Sequence, residues 1–301
     1  MRIAILSKGK NNYSTQRLRD AAKEAGHDAL VLDYSQCYME IEQNKPQVHY
    51  NGQVVSGVDA IIPRIAASYT SYGSALVRQF EMGHTYTTAK SIAIVRSRDK
   101  LRSLQLLARD DIDIPKSAFA SEPRDVEDLI EQVGGAPLIV KLVKSTHGQG
   151  VVIAETKKAA KSVIQAFFSI GAPILIQEFI EEAGGADIRA FVVGGRVIAA
   201  MKRQGLDDDF RANIHQGGTG ESAVLTDDEK RVALKAAKKL GLDIAGVDML
   251  RSKRGPLVIE VNSSPSLEGI EKATGKDVAS KIIKHVEQNA SRKQKQDRIG
   301  A

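Results

Sequence analysis

Two carboxylates and an amide, Asp248, Glu260 and Asn262, fall in a stretch that reads IAGVDML, RSKRG, PLVIEVN. Ile244 to Arg251 and Pro256 to Asn262 are apolar, β-branched runs separated by a polar, glycine-containing break, the pattern of a hairpin. If Lys253, Arg254 and Gly255 form a three-residue loop, Ser252 faces Pro256 and Asp248 lies opposite Glu260. Period-two alternation then puts Asn262 on the same face. Like charges across a ladder repel, by roughly 3 kcal/mol at about 5 Å and an effective dielectric of about 20, so something positive is expected between them. An all-oxygen set of two carboxylates and one amide suits Mg²⁺, which takes few protein ligands and fills its octahedron with water and phosphate oxygens. A loop of another length would turn Asp248 to the opposite face and leave two solvent-facing acids with a strand-ending Asn.

Cations fit the same chemistry. Lys141 lies inside the apolar run LIVKL, and an ammonium in a buried strand is costly unless it reaches an anion. Just beyond it, KSTHGQGV supplies Gly148 and Gly150, whose backbone could fold over a polyphosphate with Lys144, Ser145 and Thr146. A flexible hairpin loop without a ligand would look the same. Lys100, Arg189, Arg203 and Arg211 complete a set of positive charges, with Arg189 on the strand face of Asp187. The Walker phosphate loop is excluded: TGKD at Thr274 to Asp277 lacks the upstream glycine and has Asp where Ser or Thr should bind the metal.

The elements that must position these residues fall into zones. Ile3 to Leu6 is a short strand, followed by Leu18, Ala21, Ala22 and Ala25 at helical spacing, with Ser14 or Thr15 to cap and Gly26 to stop. Ala29 to Asp33 and Asp59 to Ile62 read as further strands of a small parallel α/β layer. SKGKNNYS after the first strand lacks the dinucleotide glycine fingerprint, so no nicotinamide site is expected. RDKLRSLQLLARDDI, with Leu101, Leu104, Leu107 and Ala108 on one face, reads as a connecting helix closed by Pro115. From Ala136 the chain is rich in strands suited to antiparallel pairing: LIVKL, VVIA, ILIQEF, and DIRAFVV turning at Gly194-Gly195 into RVIAAMK. A helix from Asp227 carries a capping box, Thr226 with Glu229, a core face of Ala233, Ala236, Ala237 and Leu240, and Gly241 to end it.

Composition narrows the class. With 301 residues, 42% hydrophobic and 27% charged, the chain can hold two or three subdomains. It has no run of 18 apolar residues and only a short one at its start, so neither a membrane span nor a signal peptide is expected and a cytoplasmic location is. The single cysteine, Cys37, excludes a disulfide framework and a thiolate metal site. The net charge of +6 hints at nucleic acid, but QNASRKQKQDRIGA at the end carries four Lys/Arg against one Asp, so no direct nucleic-acid contact is required.

Taken in order, Lys100, Lys141, the Gly148 loop, QEFI at Gln177 to Ile180, Asp187, RANIH at Arg211 to His215, Asp248 and EVN at Glu260 to Asn262 resemble an ATP-grasp ligase. RSRDKLRSLQLLAR, GGAPLIVKLV, FRANIHQGG and EVNSSPSLEGIE are most similar to the RimK-type α-L-glutamate ligases, which modify ribosomal protein. The resemblance runs from the first strand to about Asn289. It implies an α/β N-terminal domain (1–96) and an α+β ATP-grasp fold whose two subdomains (97–182 and 183–289) clamp the nucleotide between antiparallel sheets, then a basic tail (290–301). Carried over, Lys100 and Lys141 hold the α and β phosphates, and Gln177, Glu178 and Phe179 border adenine. Asp187 takes the ribose hydroxyls, and Arg211, Ala212 and Asn213 reach the phosphate end. Asp248, Glu260 and Asn262 bind two Mg²⁺ or Mn²⁺, while Lys141 with Arg189 or Arg203 neutralises the transferring phosphoryl group. ATP and L-glutamate are the implied substrates, and the implied acceptor is the C-terminal tail of a small-subunit ribosomal protein, with free polyglutamate a further product. The family also implies a homotetramer. Met201 to Phe210 departs from the pattern by its acidity, which leaves the acceptor open. A ligase for a small-molecule amino acid or peptide, and a non-catalytic ribosome-binding module, remain as rivals.

Overall fold

The computed structural model describes residues 1–122, 124–143, 150–205 and 219–291. The N-terminal unit comprises β1 (Arg2–Leu6), α1 (Tyr13–Glu24), β2 (Asp28–Leu32), β3 (Cys37–Glu42), β4 (Lys45–Tyr50), β5 (Gln53–Val54), β6 (Ala60–Pro63), α2 (Thr70–Met82) and β7 (Tyr86–Thr87). Its sheet has the order β2-β1-β6-β7 with every pairing parallel. Ile3 and Ile5 face one core and Ala4 and Leu6 another, so β1 is buried on both sides, as parallel strands flanked by helices are. The α1 cap is Asn12, without a side-chain cap bond. Ser14 and Thr15, expected as caps, have other duties: Ser14 Oγ accepts from Leu267 N at 2.9 Å, and Thr15 Oγ1 lies 2.8 Å from Ser7 Oγ. Strands β3, β4 and β5 form a separate antiparallel sheet that the sequence did not announce.

The connecting segment is two helices, α3 (Ser91–Arg98) and α4 (Lys100–Arg109), because Asp99 leaves the helical region and caps the second by accepting from Arg102 N. Leu104 and Leu107 are buried as expected, whereas Ala108 is exposed. Next come β8 (Ser117–Ala120), α5 (Val126–Gln132), β9 (Leu138–Leu142), β10 (Val151–Ala154), α6 (Lys157–Ser169) and β11 (Ile174–Glu178), the strands pairing antiparallel in the order β10-β9-β11-β8. This unit has a core of its own, built on Ile130, Val140, Ile164 and Ile176.

The third unit is a five-stranded antiparallel sheet formed by β12 (Ala186–Val193), β13 (Arg196–Gln204), β14 (Thr219–Ser222), β15 (Ile244–Ser252) and β16 (Gly255–Asn262), in the order β14-β13-β12-β15-β16. Its helices are α7 (Asp227–Leu240), α8 (Leu267–Thr274) and α9 (Val278–Asn289). Alternation along β12 decides what each face does. Ile188, Ala190 and Val192 join α7 in one core, while Phe191 and Val193 point the other way into a core with α8 and α9. Asp187 and Arg189 share that second face, at the end of the strand that α8 and α9 leave open. The TGKD turn is structural: Gly275 ends α8 in the left-handed region and Asp277 caps α9.

The expected capping box on α7 is present, with Glu229 N donating to Thr226 Oγ1 at 3.1 Å and Thr226 N to Glu229 Oε2 at 2.8 Å. Glu229 also pairs with Arg251 of β15 at 2.6 Å, so the cap ties the helix to the hairpin. Thr226→Ala should therefore lower stability by about 1–2 kcal/mol, the upper half of the usual cap range, read as a shift of the urea midpoint.

Candidate active site

Asp248 and Glu260 are paired across β15 and β16, but by a different route from the one expected. The turn holds two residues, Lys253 and Arg254, with Ser252 opposite Gly255. A β-bulge at Ile259 then adds one residue to β16, shifting the register between Met249 and Asp248 so that Glu260 comes opposite Asp248. Asn262 Nδ2 donates to Asp248 Oδ2 at 3.4 Å, placing the amide in the same group.

The positive charge expected beside Asp248 is supplied by arginines. Arg189, its partner across β12 and β15, donates to both carboxylate oxygens at 2.6 Å, and Arg203 Nη2 lies 2.9 Å from Oδ2. From β13, Arg203 also grips both oxygens of Asp187, its partner in β12, at 2.6 Å. Neighbouring strands thus carry a ladder of alternating charge. Although burial works against it, the two guanidinia hold Asp248 below the usual carboxylate range. Burial pushes Asp187 up to about 6 against the pull of Arg203, with Asp248 adding to the rise. Both oxygens of Asp187, expected at the ribose hydroxyls, accept from Arg203.

Glu260 is exposed, and the cations it feels are on other elements. Lys141 on β9, Lys100 at the start of α4 and Arg98 at the end of α3 all lie within its electrostatic reach. Lys100 Nζ donates to Leu142 O at 3.3 Å, which brings the two lysines together at the carboxyl end of β9. Lys141 donates to Gln177 Oε1, and Gln177 Nε2 donates to Ser117 Oγ at 2.7 Å, so this amide is buried and fixed at both ends. Burial lowers Lys141 to about 8, Glu260 opposing and Lys100 reinforcing the fall. Lys100 is lowered too, chiefly by burial. Two desolvated ammonium groups therefore face a carboxylate hairpin across a cleft. Glu178 Oε1 accepts from Lys116 N at 2.6 Å and pairs with Arg254 at the hairpin tip, and Phe179 follows it half-buried. Arg211, Ala212 and Asn213, and the loop segment 144–149, lie outside the described residues.

The donor set fits Mg²⁺. A carboxylate has about four lone-pair sites, so Asp248 Oδ1, which accepts one bond from Arg189, keeps capacity for a cation. Glu260 is exposed to the cleft, and the bond through Asn262 Nδ2 leaves the amide oxygen as the available donor. Gly246 provides the room: a Cβ there would come within 2.9 Å of Pro265 Cβ and 3.6 Å of Arg189 Nε.

A family model of the RimK-like ATP-grasp domain matches residues 97–286, and one of the RimK PreATP-grasp domain matches residues 1–94. The chain belongs to the RimK family of ATP-grasp ligases. Members of this class are ATP-dependent carboxylate–amine ligases, and this chain is one. It is 56% identical over 298 residues, 99% of each chain, to a protein of Vibrio cholerae named probable alpha-L-glutamate ligase. Among solved structures, the ATP-grasp ligase PsnB with minimal precursor, Mg and ADP is similar at a TM-score of 0.75 and 21% identity, covering 96% of this chain and 98% of that one. D-alanine–D-alanine ligase from Bacillus anthracis complexed with ATP is similar at 0.67 and 18%, covering 97% and 98%. At those identities the likeness speaks for the fold, and the arrangement of sheets described above is the ATP-grasp one. No helix among the described residues of this RimK chain is long and apolar enough to cross a membrane.

The sequence missed the partners of Asp248. Arg189 and Arg203, expected to face phosphate, bond to carboxylates. Only the pairing of β12 with β15, strands about 60 residues apart, reveals it.

Proposed function

We propose that the protein transfers the γ-phosphoryl of ATP to a peptide carboxylate and that the amino group of L-glutamate attacks the resulting acyl phosphate, releasing amide, ADP and phosphate. The observation that carries this reading is the cleft in which Lys100 and Lys141 face Glu260, with Asp248 and Asn262 behind it. An anionic polyphosphate resolves the cost of two desolvated ammonium groups, and hard oxygen donors opposite supply the place for its cations. Asp248, Glu260 and Asn262 would hold two Mg²⁺ or Mn²⁺, whose part is to neutralise phosphate oxygens as charge moves between them. Lys141 and Lys100 hold the α and β phosphates, and Gln177 fixes Lys141 from behind. Glu178 and Phe179 border the base, and Arg211 to Asn213 reach the phosphate end. Asp187 acts on this reading by orienting Arg203, which with Arg189 sets the direction of Asp248.

We assign the acceptor as the C-terminal tail of a small-subunit ribosomal protein, with free polyglutamate as a further product, on the family resemblance and the near full-length identity to the Vibrio cholerae relative. A homotetramer in the cytoplasm and the unit boundaries at 96, 182 and 289 rest on the same resemblance. Mass spectrometry of the acceptor after incubation with ATP, Mg²⁺ and glutamate tests this: increments of one glutamyl residue support it. Growth with another amino acid, or on a small peptide but not the ribosomal tail, favours the small-substrate ligase instead.

A further inference from the structure

A crevice of about 350 Å³ opens at the carboxyl ends of β1 and β6, with Lys8, Gly9, Asn12, Arg64 and Tyr69 in its lining. Strand order β2-β1-β6-β7 reverses direction between β1 and β6, and in open parallel sheets such a switch point is where ligands bind. The charged side chains that line it, Lys8 and Arg64, are both cations, with the Asp33 carboxylate within electrostatic reach of Lys8. The Arg64 backbone N–H donates to Leu6 O at 2.9 Å, but its side chain makes no hydrogen bond or ion pair among the described residues, and burial, with Arg98 beside it, lowers it to about 10. Arg98 donates to Ile65 O at 2.8 Å while its Nε is buried with no partner among the described residues. Lys8 stands on the other wall, 2.8 Å from the Tyr69 hydroxyl and 4.4 Å over its ring. The α1 N-terminus opens between them, with no acidic residue in its first turn and no side-chain bond from Asn12. Gly9 lets that terminus close in: a Cβ there would lie 2.2 Å from the Asn12 amide.

The crevice adjoins the reaction cleft. Arg98 feels both Arg64 and Glu260, and Ser264 Oγ, two residues past Asn262, lies 3.5 Å from Pro63 O, next to Arg64. Two separated cations beside a helix N-terminus, in a volume at the lower end of ligand sites, match a small dicarboxylate better than a nucleotide.

We propose that this crevice seats the free glutamate, with Arg64 and Lys8 taking its two carboxylates and its amine left toward the Glu260 hairpin. The assignment rests on the ligase reading for the identity of the amino acid. Arg64→Gln and Lys8→Gln should each raise the KM for L-glutamate at least about tenfold, the loss of one charge-assisted hydrogen bond, and more than they raise the KM for ATP or for the acceptor. Glutarate, which keeps both carboxylates, should compete with glutamate and raise the melting temperature of the wild-type chain, and the Arg64→Gln, Lys8→Gln double variant should lose that shift. An unchanged glutamate KM in both variants overturns the proposal, and so does a rise confined to the acceptor, which would place the acceptor tail in the crevice. If the wild-type chain transfers no glutamate, the ligase reading fails separately. The melting shift by glutarate then decides the crevice alone, its loss in the double variant upholding a dicarboxylate site and its persistence refuting one.

Discussion

Replacing Asp248 by Ala should damage fold and reaction together, whereas Glu260→Gln should damage the reaction alone. Asp248 is 2% exposed and carries the guanidinia of Arg189 and Arg203. Its removal leaves two buried cations with less compensation, a change of about 3–5 kcal/mol for a broken buried pair. Glu260 is exposed and its charge partners lie across the cleft, so loss of its charge should cost less than about 1 kcal/mol. Both variants should reduce ATP-dependent glutamate incorporation by about a thousandfold, the scale of one preorganised electrostatic contact to a transition state. Urea denaturation beside a single-turnover assay separates the two outcomes. Full transfer by Glu260→Gln would show that the hairpin is not part of the reaction and would favour a binding module.

The affinity for ATP should fall as pH rises through about 8. Lys141 sits near 8 in the nucleotide-free fold, against an ordinary value of 10.5, because burial disfavours its charge. A bound polyphosphate favours the charged form, so binding takes up a proton once the free protein has lost it. Between pH 7 and 9.5 the dissociation constant should rise roughly tenfold or more, and Lys141→Met should bind weakly at both with little change between them. The sign for folding is opposite. Between about 8 and 10.5 the unfolded chain holds a proton that the folded one lacks, so this group's contribution to the stability of the nucleotide-free protein rises with pH across that window. Titration calorimetry of ADP at the two pH values reads the first effect, and an affinity flat from 7 to 9.5 would remove Lys141 from the phosphate site.

What the sequence disclosed follows from what is local. The capping box of Thr226 and Glu229, the alternation in β12 and the Gly194-Gly195 turn are encoded within a few residues, and all are present. Asp248 opposite Glu260 was legible only through two offsetting differences: a turn one residue shorter than expected and a bulge that restores the count. Bulges leave little trace in composition, and nothing in LVIEV marks Ile259 as the extra residue. The crevice escaped for a related reason. SKGKNNYS lacks the glycine fingerprint, and what it does contribute, Lys8 and an uncapped helix start, becomes visible only once Arg64 arrives just past β6, some 50 residues later. Asp248 is neutralised by the protein itself, so the case for a cation rests on donor chemistry and on exposed Glu260 rather than on unrelieved charge.

The supernumerary Ile259 also makes two properties of the acidic pair separable. Deleting it would let β16 run on in plain register with Glu260 still facing Asp248, while relaxing the extra twist that a bulge puts into its strand. Nearness of the two acids would survive and their aim would change, so a single shortened chain tells whether chemistry here demands proximity or direction.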